Sequence, residues 1–242
     1  MRKLVGISIL LMVIFITGKS NGDMSLNSSN VGRLTFSNQI RLVCAGDSIT
    51  FGLRSTDSSG YRYALQRLLG IEDYFLVGHF NDGDESYLSN HHEGISGNTS
   101  TQLLARFQGI INYSYNSSVN TIFLIMIGTN DLSASVPIAT ITANIEDMID
   151  LIVANDSGDD VYIGLVTPRS GALDADVTLL NTSISSMVSG YGKSNLYAVD
   201  LNSAFKDNTN WETELLDDGL HPNDLGYQVM ADTWAAAIQA NQ

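Results

Sequence analysis

The sequence predicts an α/β domain, a mostly parallel sheet with helices on both faces. Three observations predict it. Short, nearly continuous apolar runs alternate with longer segments whose apolar residues recur at helical spacing. Continuous apolar runs suit strands buried on both faces. Strand–helix alternation implies βαβ crossovers, which place helices over both faces of a parallel sheet.

The elements follow in order. The strand-like runs are 40–45, ending at Gly46; 74–77, before Gly78; 121–127, ending at Gly128; 161–166, ending at Thr167-Pro168; and 196–199, ending at Asp200. The helical segments lie between and after them. Residues 61–69 carry Tyr61, Ala64, Leu65, Leu68 and Leu69 on one face, and 99–111 carry Leu103, Leu104, Phe107 and Ile111. Residues 138–153 carry Ile141, Ile145, Met148, Ile149 and Ile152, and 177–188 carry Leu180, Ile184, Met187 and Val188. The last segment, 225–238, follows Pro222-Asn223-Asp224, where Asn223 or Asp224 can cap its first turn.

A chain of 242 residues is long enough for one domain with a substantial core. Arg2 and Lys3 precede an apolar run, 4–16, and then the small residues Gly18, Ser20 and Gly22, the pattern of a secretory leader over 1–22. The run is shorter than the roughly 20 residues of a membrane span. A polar stretch, 23–38, reads as a linker, and the folded domain is expected over 39–242. A net charge of −14 repels nucleic acid and anionic membrane surfaces. The single cysteine, Cys44, has no partner for an intrachain disulfide and is expected to be a buried thiol.

Ligands of open α/β sheets bind beyond the carboxyl ends of the strands. Four segments fall there. Gly46-Asp47-Ser48-Ile49-Thr50 follows the first strand and places Ser48 at a helix start. Asp218-Gly219-Leu220-His221-Pro222-Asn223 precedes the last helix. A serine hydroxyl needs a base, usually His oriented by a carboxylate. A turn at Gly219 can fold Asp218 back onto one imidazole nitrogen of His221, with Asp217 as the rival orienter. Gly94-Ile95-Ser96-Gly97-Asn98-Thr99 and Gly128-Thr129-Asn130-Asp131 open two further helices, where the Gly97 backbone N–H and the Asn130 amide are placed to donate to a developing oxyanion. Each segment alone reads more readily as an ordinary turn or cap.

Together, and in the order Ser, Gly, Asn, His, these blocks resemble those of the SGNH (GDSL-type) hydrolase superfamily. GDSIT (46–50), Gly60-Tyr61-Arg62, His92-Glu93-Gly94, IGTND (127–131) and DGLHPNDLGYQVMADTW (218–234) further resemble acetyl xylan esterases of carbohydrate esterase family 3. The resemblance implies a three-layer α/β/α sandwich, flavodoxin-like, with about five parallel strands. It implies Ser48 as nucleophile, His221 as general base and acid, Asp218 as orienter, and Ser48 N, Gly97 N and Asn130 as oxyanion donors. It implies no metal and no organic cofactor. The stretch 52–56 departs from the family pattern and leaves substrate preference more open than mechanism.

Asp47 and Trp211 are carried as candidate substrate contacts, against the plainer readings of a loop brace and a core cover. His91 and His92, near Asp82, Asp84, Glu85 and Glu93, fit no metal motif and are expected in a structural loop, with a weak calcium site as the alternative. The function expected is a secreted esterase acting on acetylated polysaccharide or oligosaccharide. The alternatives are a broader carboxylesterase or lysophospholipase on the same triad, an acyltransferase, and a non-catalytic carbohydrate-binding protein.

Overall fold

The computed structural model of the chain describes residues 39–83 and 89–242. Strand β1 (Ile40–Gly46) leads into the short helix α1 (Ser48–Phe51), a loop and α2 (Arg62–Leu69). Next come β2 (Tyr74–Leu76), β3 (Phe80–Asn81), β4 (His91–Gly94) and α3 (Ser100–Ser114). Then follow β5 (Thr121–Met126), α4 (Thr129–Ser133), α5 (Ile138–Asn155), β6 (Asp160–Gly164) and α6 (Leu173–Tyr191). The chain ends with β7 (Leu196–Val199), α7 (Leu201–Lys206), α8 (Trp211–Glu214) and α9 (Asp224–Gln239). The leader expected over 1–22 and the linker over 23–38 lie outside the described residues, as do Asp84 and Glu85.

The sheet has seven strands in the order β3-β4-β1-β5-β6-β7, with β2 also beside β1. All pairings are parallel except β3 with β4. The five apolar runs are β1, β2, β5, β6 and β7; the two additional strands are β3 and β4. The histidines expected in a loop therefore lie in β4, whose His92 and Glu93 are buried.

Two apolar clusters explain why the sheet stands between two helix layers. Along β1, Val43 and Ala45 belong to one cluster, Leu42 and Cys44 to the other. Along β5, Phe123 and Ile125 face the first, Ile122, Leu124 and Met126 the second. This is the two-residue alternation of strand side chains, with both faces apolar. Helices α3, α5 and α6 supply the first cluster through Phe107, Ile145 and Leu180; α2, α7 and α9 supply the second through Leu65, Phe205 and Trp234. Cys44 is fully buried, and that burial pushes its thiol up to about 12, so it packs as a small apolar side chain.

Candidate active site

Strand register places the rim. β1 lies between β4 and β5, with Gly46 opposite Gly94 on one side and Met126 on the other. The segments that follow these three strands hold Ser48, Gly97 and Asn130, so adjacent strand ends deliver the three residues to one stretch of the carboxyl edge.

Ser48 opens α1. Its predecessor Asp47 is the N-cap and accepts from Ile49 N at 2.9 Å. The Ser48 N–H, in the first turn, has no intrahelical acceptor. At the other end of α1, the buried Arg62 guanidinium donates to the carbonyls of Thr50 (2.6 Å), Phe51 (2.7 Å), Ser58 (3.2 Å) and Asp82 (2.8 Å). The turn bearing Ser48 is thus tied into the interior at both ends.

His221 reaches Ser48 from the far end of the sequence. Its Nε2 lies 2.9 Å from Ser48 Oγ, and its Nδ1 lies 2.9 Å from Asp218 Oδ2 and 3.2 Å from Oδ1. The carboxylate can only accept, so Nδ1 carries the proton and the Nε2 lone pair receives the serine hydroxyl proton. Gly219, at φ 82°, makes the turn between acid and base in a backbone region that favours glycine. Burial raises the Asp218 carboxyl, but hydrogen bonds from His221 N, the imidazole and Leu220 N outweigh it and hold the group at about 2. Asp217, the rival orienter, instead pairs with Arg54 at 3.4 Å. Backbone bonds from Asp217 N to His221 O and from Asn223 N to Leu215 O close the base of this loop. Asn223, rather than Asp224, caps α9 by accepting from Leu225 N and Gly226 N.

On the other side, Gly97 sits at φ 82°, exposed, with nothing near the position a side chain would occupy. Asn130 donates one amide N–H to Asn98 O at 2.9 Å. A primary amide has two N–H groups, so the second remains for a ligand. Buried Asp131 accepts from Ser100 N (2.8 Å) and Ser100 Oγ (2.6 Å), locking the turn after β5 to the start of α3. Thr99 and Gln102 complete a capping box there.

The two candidate substrate contacts have other surroundings. Asp47 is 1% exposed and its carboxylate braces α1. Trp211, in α8, is half-buried and packs against the second apolar cluster. Around β4, His79 Nδ1 and Arg106 Nη1 each lie 2.6 Å from the Glu93 carboxylate, and His92 Nε2 lies 3.3 Å from Asp82. Burial first, then the Arg62 charge, lowers His92 to about 2, so it is neutral. Among the described residues no group of three or more His, Cys, Asp or Glu converges as a metal site.

Sequence reasoning noted Arg54 only within the stretch 52–56 that departs from the family pattern, and it overlooked Arg169 and Ser170. Arg169 Nη1 donates to Ser133 Oγ at 2.9 Å and Thr129 O at 3.2 Å, and Ser170 N donates to Gly219 O at 2.7 Å. Adjacent residues of one loop thereby join the turn bearing Asn130 to the turn bearing His221. Their only sequence signal is their place just beyond the fourth apolar run.

Fold and hydrogen-bonded Ser–His–Asp chain define the class, an SGNH-type hydrolase scaffold. Residues 44–229 match the GDSL-like Lipase/Acylhydrolase family, and the chain belongs to it. It is 27% identical over 227 residues to a protein described as a multidomain esterase from Ruminococcus flavefaciens, covering 83% of this chain and 28% of that one. The chain thus spans little more than a quarter of that relative's length. Among solved structures it resembles a Clostridium thermocellum family 3 carbohydrate esterase (TM-score 0.71, 24% identity, 84% of this chain and 97% of that one). It also resembles a carbohydrate esterase family 3 structure from Talaromyces cellulolyticus (TM-score 0.68, 22% identity, 84% and 97%). These likenesses establish the fold.

Proposed function

We propose that this chain is a secreted serine esterase that removes acetyl groups from carbohydrates. The observation that carries the reading is the unbroken chain from Ser48 Oγ through His221 to Asp218. The family match, the named relatives and the leader-like pattern of residues 1–22 support it.

Ser48 Oγ attacks the ester carbonyl carbon as its proton passes to His221 Nε2, and Asp218 stabilises the imidazolium. The negative oxygen of the tetrahedral intermediate is met by Ser48 N, Gly97 N and the free N–H of Asn130. The C–O bond to the sugar breaks, His221 returns the proton to the leaving alcohol, and acyl-Ser48 remains. Water then attacks that ester with His221 as base, releasing acetate and restoring Ser48.

The test is turnover of acetylated xylan and p-nitrophenyl acetate by purified protein, with Ser48→Ala alongside. Release from both, lost in the folded variant, is expected. Full activity in the variant would refute the nucleophile. The family's lipase and acylhydrolase description favours a second reading, a broader carboxylesterase. Comparable rates on p-nitrophenyl acetate and octanoate would select it.

A further inference from the structure

We propose that Arg54 is a positioning residue for the His221–Asp218 pair. This inference rests on the esterase reading and deepens it. Arg54 Nε lies 3.3 Å from Asp218 Oδ2, the oxygen that faces His221 Nδ1, and 3.4 Å from Asp217 Oδ2. One guanidinium therefore bridges Asp218 and Asp217, and on Asp218 it meets the same oxygen as the imidazole.

An ion pair this exposed ordinarily contributes little, because ordering two long side chains offsets the attraction. Here the loop that carries Arg54 is already ordered by other contacts to the same segment of chain. Tyr227 Oη donates to Leu53 O at 2.7 Å, and Thr56 donates through N (2.8 Å) and Oγ1 (2.5 Å) to the Asp224 carboxylate. Three successive points, at residues 53, 54 and 56, thus fasten the loop to the 217–227 region, and Arg54 is the one that reaches the triad. Its backbone is at φ 76°, a left-handed conformation uncommon for arginine. A strained residue held by surrounding contacts is a reason to look for function at that position.

The guanidinium does two things. It fixes the carboxylate so that Oδ2 stays on the imidazole, and it places a positive charge on the carboxylate oxygen that faces that imidazole. Asp217 acts in the opposite sense, since it neutralises Arg54. On α9, Tyr227 interacts electrostatically with Asp218 and also with Asp224, Asp47 and Arg62.

The experiment measures kcat/KM on p-nitrophenyl acetate from pH 5 to 9 for the full chain, Arg54→Met, Arg54→Lys and Asp217→Asn. Removing the positive charge should move the acid limb of Arg54→Met to higher pH by a few tenths to about one unit. Asp217→Asn should move it the other way, and Arg54→Lys should restore most of the parent profile. A limb unmoved in both Arg54→Met and Asp217→Asn, or an equal loss of rate at every pH, would overturn the proposal in favour of a loop brace. The His221 imidazole titration followed by NMR reads the same displacement without turnover. A chain inactive on every ester would refute the esterase reading, while that titration would still decide the role of Arg54.

Discussion

Two aspartates flank the Ser48–His221 hydrogen bond, and their surroundings push them in opposite directions. Asp47 lies inside, at the root of α1. Burial raises its carboxyl to about 7, against the hydrogen bond from Ile49 N and with further upward pressure from Asp131. Asp218 lies at the rim, held near 2 by donors from its own loop and from His221. The comparison separates two ways of holding a reactive side chain. Ser48 is fixed by the core and by Arg62, whereas His221 is fixed by a surface loop through the Asp218 carboxylate and through backbone bonds at the loop's base.

The comparison can be broken by exchanging the acids for amides. Asp218→Asn should lower kcat by roughly 10³–10⁴, because an amide can settle His221 in the wrong tautomer. Asp47→Asn should leave kcat within several-fold, since an amide oxygen still caps Ile49. Steady-state kinetics on p-nitrophenyl acetate decides, and equal losses would dissolve the distinction. Asn130→Ala should lower kcat by roughly 10²–10³, most of it absent from KM. A change confined to KM would make Asn130 a binding group instead. Arg62→Leu should cost about 3 kcal/mol of stability in urea unfolding, because four inward carbonyls lose their donor. An unchanged midpoint would show the nucleophile turn to be held by packing alone.

The smallest effect concerns stability and pH. A raised acid favours the folded state while protonated, so the Asp47 contribution declines as pH rises from about 4 and levels off above about 7. A depressed acid does the reverse, so the Asp218 contribution is present above about 4 and fades as pH falls towards 2. Asp47→Asn should therefore melt a few degrees higher than the parent at pH 8 and nearly equal to it at pH 4. The same increment at both values would show that ionisation is not the cause.

Much of this arrangement was legible in the chain. The five short apolar runs and the five helical segments are elements because burial on two faces or on one stripe leaves a trace in the sequence. Ser48, His221, Asp218, Gly97 and Asn130 were singled out because each stands just after such a trace stops or just before one begins. β4 escaped because its residues, His91-His92-Glu93-Gly94, carry no aliphatic side chain. It is buried through charge and hydrogen bonding instead, with Glu93 on Arg106 and His79. The short helices α1, α4, α7 and α8 are too brief to show a period. The role of Arg54 escaped for another reason: its partners lie more than 160 positions away, and only the closed fold sets a loop charge against a distant carboxylate.

The stepped border of the sheet carries one more implication. β1 shares one flank between β2, which covers Ile40–Leu42, and β4, which covers Ala45 and Gly46, and β4 is in turn covered by the two-residue β3. At the opposite border β7 spans four residues. Unpaired backbone at a sheet margin is a template for strands of other molecules, and short margins are poor templates. Among the described residues, splitting one flank between two brief strands therefore leaves little margin on which copies can stack, a form of resistance to aggregation that needs no charged side chain on the margin itself.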